Sequence, residues 1–167
     1  LGRGFTLIEM MIVLVLIATL LSIGAPMMQR QLAGTRLHTE SSRFLAAINL
    51  ARSEAVMRNH PVSICPSAMA RTGIPECSGI YAGGWIVFAN ADRDKVVDSG
   101  TDAVLRVFEG LPDGFELINY LPDGTSHSTR TLMFCPPQQL GVPSLSIVMN
   151  IVGRARLVEG WGQCPAV

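Results

Sequence analysis

The sequence predicts an α+β fold, in which a long, kinked N-terminal helix packs on an antiparallel β-sheet head domain. Three observations lead to this class. An apolar run fills residues 5–25, helical spacing of apolar residues continues over residues 26–60, and short apolar stretches separated by turns fill residues 61–167. A helix followed by many strands is the pattern of α+β domains. The formal net charge of zero does not by itself indicate a nucleic-acid partner.

The apolar run over residues 5–25 is predicted to form a membrane-spanning helix. A helix of this length extends about 31 Å, enough to cross a bilayer core of about 30 Å. Glu9 is the only charged residue in the run, and burying a carboxylate within a membrane costs about 2–3 kcal/mol. We therefore expect Glu9 to be a functional residue that has a partner. The alternative is a simple membrane anchor whose carboxylate lies near the membrane surface.

Residues 26–60 are predicted to continue the helix with one apolar face. The apolar residues that recur at helical spacing are Leu32, Leu37, Phe44, Ile48, Ala51 and Ala55. Gly24 and Pro26 are expected to bend the helix where it leaves the membrane. Asn59 and Pro61 are expected to end it. The apolar face is predicted to pack against the sheet.

Seven short strands are predicted in the head domain, which comprises residues 61–167. Their bounds are Val62–Cys65, Trp85–Ala89, Ala103–Phe108, Phe115–Tyr120, Thr131–Cys135, Leu145–Ile151 and Arg154–Val158. Turn sequences rich in glycine and proline separate these strands, including Pro-Asp-Gly at residues 112–114 and again at residues 122–124. Short strands joined by turns predict antiparallel pairing.

Four cysteines lie outside the apolar run, at Cys65, Cys77, Cys135 and Cys164. An even number in an exported domain predicts two disulfides, for which three pairings are open. Nearness in sequence favours Cys65 with Cys77 and leaves Cys135 with Cys164. A zinc site is the alternative, but the four residues include no C-x-x-C pair, so zinc is disfavoured.

An acidic stretch between two predicted strands has the spacing of a calcium loop, with oxygen donors at Asn90, Asp92, Asp94 and Asp98. It lacks two features of such loops. Lys95 stands where the sharp turn needs glycine, and Thr101 stands where glutamate supplies two ligands. A solvated hairpin turn is therefore the favoured prediction. With no nucleophile motif and no histidine cluster, the sequence predicts neither enzymatic activity nor a cofactor.

The block Gly4-Phe5-Thr6-Leu7-Ile8-Glu9 resembles the processing site of type IV prepilins and type II secretion pseudopilins. The resemblance implies that residues 1–4 are a leader. It implies that a prepilin peptidase in the inner membrane cuts between Gly4 and Phe5 and then methylates the amino group of Phe5. Glu9 would pair with the amino terminus of a neighbouring subunit and set the axial register of a filament.

A second resemblance comes from residues 49–55, Asn-Leu-Ala-Arg-Ser-Glu-Ala, and from the strand over residues 61–65. Both are similar to the GspH/FimT group of minor pilins and pseudopilins. The resemblance implies a type IV pilin-like fold, with a single-pass anchor in the inner membrane and a head domain in the periplasm. It implies a minor pilin that joins the major pilin and other minor pilins in an extracellular pilus. The alternative is a GspH-like minor pseudopilin of type II secretion; two disulfides favour the pilus.

The string Gly153-Arg154-Ala155-Arg156 is a candidate anion site in the head domain. Residues two apart in a strand face the same side, so Arg154 and Arg156 would present two guanidinium groups together. Such a pair can bind phosphates without a basic protein overall. The string resembles the G-R-x-R element assigned to DNA binding in FimT-type minor pilins, which implies double-stranded DNA as a partner during natural transformation. A polar strand edge or a subunit contact is the alternative.

Overall fold

The computed structural model describes residues 6–79, 81–94, 96–98, 100–110, 118–120, 130–135 and 141–160, with the backbone alone at residues 82, 118–120 and 130. The helices are α1 (Leu7–Arg58) and the short α2 (Met69–Thr72), with a single 3₁₀ turn at Tyr81–Gly83. The strands are β1 (Val62–Pro66), β2 (Trp85–Ala89), β3 (Val104–Phe108), β4 (Ile118–Tyr120), β5 (Arg130–Phe134), β6 (Leu145–Met149) and β7 (Ala155–Glu159).

Helix α1 has 52 residues and is about 78 Å long. Thr6 caps it, because the Thr6 hydroxyl oxygen accepts the backbone N–H of Glu9 at 3.3 Å. The helix runs without interruption through Pro26, although proline has no N–H to bond the carbonyl of Ser22. It ends, as the sequence predicted, at Asn59, whose φ of 54° is left-handed and stops further helical hydrogen bonding.

The first half of α1 is apolar on all sides and exposed. Large apolar side chains from Leu7 to Met28 lie at the surface, and none of the buried residues of α1 precedes Leu37. By length and composition α1 could cross a membrane. A contiguous exposed apolar surface of this kind is unfavourable in water, because a soluble protein rarely leaves more than a few hundred Å² of such surface uncovered.

The second half of α1 buries one stripe against the head domain. Its buried residues are Leu37, Ser41, Phe44, Ala47, Ile48, Ala51 and Ala55. The prediction was wrong for Leu32, which is 51% exposed. Packing begins further along the helix, at Gly34, where an added Cβ would lie 3.8 Å from a methyl carbon of Val142. Periodicity identifies the apolar face of a helix, but it does not show which residues of that face are buried by the head domain.

The described strands form two antiparallel sheets, where the sequence led us to expect one. Sheet 1 has the order β3-β2-β1-β4, and sheet 2 has the order β5-β6-β7. Strand β2 has the predicted bounds. Apart from the start of β4, every other described strand end either matches the prediction or differs from it by one or two residues. The first part of the predicted strand Phe115–Tyr120 lies outside the described residues. Alternation of side chains indicates which face of a strand is buried, but it does not reveal which strands are neighbours.

Phe44 lies where α1 meets both sheets. Its ring centroid is 5.5 Å from the ring centroid of Tyr81, in the 3₁₀ turn before β2, and 5.5 Å from that of Trp85, in β2 of sheet 1. The ring of Phe134, in sheet 2, lies 6.4 Å from it on the other side. Trp85 in turn stacks on Phe108 at 4.8 Å. These aromatic contacts join the two sheets through one helix residue.

Arg43, beside Phe44, connects the polar face of α1 to sheet 1. Its guanidinium lies 5.2 Å from the Trp85 ring centroid and donates to the backbone oxygen of Glu109 at 2.9 Å. The same group forms an ion pair with Glu40 at 2.7 Å. An arginine stacked on an aromatic ring and hydrogen-bonded on both sides has its side chain held in place. The position of α1 on sheet 1 is therefore fixed by polar contacts as well as by packing.

We predict that replacing Phe44 with alanine lowers the free energy of unfolding of the head domain by about 3–5 kcal/mol, because a buried aromatic ring is lost and a cavity remains between the sheets. Leu32→Ala is the matched control on the same helix. It should change the free energy of unfolding by less than about 0.5 kcal/mol, because Leu32 is half-exposed. Urea unfolding of the detergent-solubilised protein measures both. Equal losses from the two substitutions would contradict the central role of Phe44.

Candidate functional site

Glu9 lies in the first turn of α1 and is exposed. The positive end of the helix dipole favours a carboxylate at this position. Thr6 and Glu9 also have the T-x-x-E spacing of a helix capping box, a signal in the sequence that our prediction did not use. The predicted cleavage residues Gly4 and Phe5 lie outside the described residues. The structure therefore gives Glu9 a position at the start of the helix but does not show its predicted partner.

The predicted anion site begins in the turn between β6 and β7. The backbone N–H of Gly153 donates to the oxygen of Asn150 at 2.9 Å, and the N–H of Asn150 donates to the oxygen of Arg154 at 3.1 Å. The Asn150 side chain accepts the N–H of Arg154 at 2.8 Å. Gly153 has a φ of 75°, a left-handed conformation that glycine adopts without the steric cost of a Cβ. Gly153 is thus required by the backbone of the turn.

Arg154 and Arg156 lie at an edge of sheet 2, because β7 is the last strand in the order β5-β6-β7. Both arginines are exposed, whereas Ala155 and Leu157, which alternate with Arg156, pack against the core. The guanidinium groups are therefore on the solvent side. In the part of the chain that the structure describes, neither arginine forms a salt bridge, which leaves both charges available to an external anion.

The surroundings of the arginine pair are mixed. Ile151 and Val152, at the tip of the turn, are 59% and 50% exposed. Phe134 is buried in the core, so it offers no exposed ring for stacking against a base. Arg130 pairs with Met149 in the sheet register, which places its backbone at the same end of sheet 2 as the turn. The site is therefore an exposed cationic edge with a small apolar tip.

The first predicted disulfide is present. Cys65 and Cys77 are bonded, with their Cα atoms 5.5 Å apart, and the bond attaches the segment after α2 to the end of β1. Cys135 is also disulfide-bonded. Cys164 lies outside the described residues, so its pairing with Cys135 stays a prediction. Disulfides are typical of domains that fold in an oxidising compartment.

The acidic stretch connects the antiparallel strands β2 and β3, so it is the hairpin loop that the sequence predicted. Within it, carboxylate oxygens of Asp92, Asp94 and Asp98 lie within 4.8 Å of one another. Desolvation by the surrounding loop atoms raises the pKa of Asp98 above its ordinary value, and the negative charges of Asp94, Asp92 and Asp102 raise it further. Three carboxylates are therefore held together despite their mutual repulsion.

Asn90, at the start of this loop, is fully buried, which the sequence did not indicate. Its side-chain nitrogen donates to the Ser63 hydroxyl at 2.8 Å and to the backbone oxygen of Asp94 at 2.6 Å. Its side-chain oxygen has no hydrogen-bond donor among the described residues. A buried polar atom without a partner is unusual in a folded protein and calls for an explanation.

Two family descriptions match this chain. The family described as Type II transport protein GspH matches residues 40–153. The prokaryotic N-terminal methylation motif matches residues 2–25. Together they cover the apolar run at the start of α1, the buried stripe of α1 from Ser41 onward, and most of the head domain.

Individual relatives agree with these matches. Type II secretion system protein H of Escherichia coli (strain K12) is 43% identical over 63 residues, which are 37% of this chain and 37% of that protein. The aligned part thus spans little more than a third of the relative. The crystal structure of the type IV minor pilin FimU of Pseudomonas aeruginosa aligns with a TM-score of 0.51 and 18% identity, covering 74% of this chain and 89% of that one. This likeness confirms the predicted pilin-like α+β fold.

We predict that Gly153→Ala destabilises the turn between β6 and β7 by about 1–2 kcal/mol, because a Cβ disfavours the left-handed conformation. Gly153→Asn should cost less, since asparagine adopts this conformation more readily. Thermal unfolding of the two variants beside the wild type measures the difference. If alanine is tolerated as well as asparagine, Gly153 is not required by the backbone of the turn.

Proposed function

Because the chain belongs to the GspH family and carries a prokaryotic N-terminal methylation motif, we propose that it is a minor pilin that is incorporated into a type IV pilus. The observation that carries this proposal is the exposed apolar half of α1. That surface needs an apolar environment, which a membrane supplies before assembly and the helices of neighbouring subunits supply in a filament. The head domain, joined to the second half of α1, would remain outside the membrane.

Processing would precede assembly. In this proposal a prepilin peptidase cuts between Gly4 and Phe5 and methylates the amino group of Phe5, while the apolar helix stays in the inner membrane. The methylation motif, which includes both residues, supports this order. The bond between Cys65 and Cys77 supports a periplasmic head domain, because that compartment is oxidising. The mature subunit would then pass into the extracellular pilus.

Glu9 is the residue that we propose to direct assembly. Its carboxylate would form an ion pair with the methylated ammonium of Phe5 in a neighbouring subunit, inside the apolar core of the filament. Two buried charges stabilise an interface only when they meet each other, so the pair would select one axial position among several that are equally apolar. The exposed position of Glu9 in the first turn leaves it accessible to a neighbouring chain.

The prediction for Glu9 concerns assembly and not insertion. Glu9→Gln removes the only charge from residues 5–25, so insertion into the membrane should be unchanged. Recovery of the subunit in pili sheared from cells should fall at least tenfold, because an unpaired buried ammonium costs about 3–5 kcal/mol. Glu159→Gln, which alters an exposed carboxylate on β7, is the matched control and should assemble normally.

Mass spectrometry of the wild-type subunit in the same preparation should show loss of residues 1–4 and one methyl group on Phe5. Normal recovery of Glu9→Gln in sheared pili would contradict the ion pair. An intact leader in the assembled subunit would contradict the processing step.

We further propose that Arg154 and Arg156 bind phosphate groups of double-stranded DNA. Two exposed guanidinium groups at a sheet edge, without acidic partners in the described residues, can each form bidentate hydrogen bonds with phosphate. The similarity of the string to the G-R-x-R element of FimT-type minor pilins also supports this. No described helix is positioned to enter a groove, so recognition would depend on the backbone charge of DNA and little on its sequence.

The DNA proposal predicts weak binding that decreases steeply with salt. Binding releases counterions from the DNA, and added salt makes that release less favourable. Arg154→Gln combined with Arg156→Gln should abolish binding and reduce DNA uptake in transformation. Arg106→Gln, which removes an exposed arginine from sheet 1, is the matched control and should leave binding unchanged. Fluorescence anisotropy with labelled duplex DNA at two salt concentrations measures affinity. Equal affinity of the double variant and the wild type would contradict the proposal.

A minor pseudopilin of type II secretion is the second candidate. The observation that favours it is the 43% identity over 63 residues with type II secretion system protein H of Escherichia coli. The Glu9→Gln strain separates the two candidates. If the chain is a minor pilin, pili decrease and secretion of exported enzymes is unchanged; the opposite result would assign the chain to secretion.

A further inference from the structure

Four residues of the loop between β2 and β3, Asn90, Asp92, Asp94 and Asp98, are spaced in the sequence as in a calcium loop. Three of these residues, Asp92, Asp94 and Asp98, have carboxylate oxygens within 4.8 Å of one another. Calcium binds oxygen ligands at about 2.3–2.6 Å, so two ligands on opposite sides of one ion lie about 5 Å apart. The observed spread of the carboxylates therefore fits the coordination shell of a single calcium ion.

Asn90 provides an independent observation, because it is not a surface acid. Its side chain is fully buried and points from the end of β2 into the loop, where its nitrogen bonds the backbone oxygen of Asp94. The backbone oxygen can only accept, so the amide nitrogen must face it and the orientation of the amide is determined. The amide oxygen is left without a donor among the described residues. A cation would supply the missing partner.

We propose that residues 90–98 bind one calcium ion, with the side-chain oxygens of Asn90, Asp92, Asp94 and Asp98 as ligands. The four residues stand at positions 1, 3, 5 and 9 of a calcium loop, counted from Asn90. The donors are all oxygen, which selects calcium or magnesium over zinc and copper. Calcium fits better than magnesium, because it accepts irregular coordination by protein oxygens whereas magnesium retains several waters.

The departures from the usual loop pattern imply a weak site. Thr101 replaces the glutamate that would supply two ligands, and Lys95 replaces the glycine at the turn. Arg93, with a φ of 65°, provides a left-handed residue within the loop in place of that glycine. With fewer charged ligands the dissociation constant should lie at about 10⁻⁴–10⁻³ M, the range of extracellular calcium modules. Such a site would be filled outside the cell and empty where calcium is scarce.

The location of the loop indicates what calcium would change. Ala91 and Thr101 line one cavity with Arg58 and His60, so the loop lies against the C-terminal end of α1. Calcium would neutralise the repulsion among the carboxylates and hold the connection between β2 and β3 against the helix. The expected consequence is a head domain whose end furthest from the membrane becomes more stable when calcium binds.

The test uses the full chain, purified in detergent and treated with EDTA. Calorimetric titration with CaCl₂ should show one site, and the thermal midpoint of unfolding should rise and saturate as calcium is added. MgCl₂ and NaCl at matched ionic strength should raise the midpoint less.

Asp98→Asn should weaken calcium binding at least tenfold, because it removes one of the three charged ligands. Because Asp98 is exposed and crowded by other acids, this variant should fold at least as well as the wild type in EDTA.

Glu159→Gln is the matched control, since it removes a carboxylate from sheet 2 and should bind calcium like the wild type. The proposal is overturned if calcium and magnesium raise the midpoint equally, since the effect would then be general screening of an acidic surface. It is also overturned if Asp98→Asn binds calcium as tightly as the wild type, or if calorimetry detects no binding up to 10 mM calcium.

Discussion

The contact of Phe44 with both sheets is the constraint on which the rest of the head domain depends. On the side of sheet 1, Phe44 contacts Tyr81 and Trp85, and on the side of sheet 2 it contacts Phe134. In the described chain no strand of one sheet pairs with a strand of the other, so the relation of the sheets is set by side chains that meet on α1. The helix is consequently part of the core of the head domain, and a head without the second half of α1 would lose the surface that joins its sheets.

The same helix serves two environments, and the boundary between them is visible in its sequence. Before Leu37 none of the described apolar residues of α1 is buried, whereas after it the apolar residues alternate with polar positions and one face is buried. Because the helix is continuous through Pro26, a displacement of the membrane half is transmitted to the half that carries Phe44. The proposed ion pair of Glu9 would therefore fix the height and the rotation of the head domain relative to its neighbours.

Local signals in the sequence predicted much of the fold. The bounds of β2, the end of α1 at Asn59 and the stripe from Phe44 to Ala55 all follow from spacing and from residues that begin or end helices. The division into two sheets and the exposure of Leu32 were not predictable, because they depend on which distant segments pack together. For the candidate sites, the exposed Arg154 agrees with the strand pattern. The burial of Asn90, however, depends on Ser63 and on the fold of the loop, neither of which is visible in the spacing of acids.

The short connection from Asn59 to Pro61 has a consequence for the order of folding. It leads from α1 directly into β1, an interior strand of sheet 1, so α1 and β1 can meet after closing only a short loop. Sheet 2 must close a much longer loop before Phe134 reaches Phe44. During synthesis, when the N-terminal part emerges first, α1 and the strands β1, β2 and β3 would form a half-core whose aromatic face is still open. We expect the chain to be most prone to aggregation until its C-terminal third, which holds β4 and sheet 2, has been synthesised.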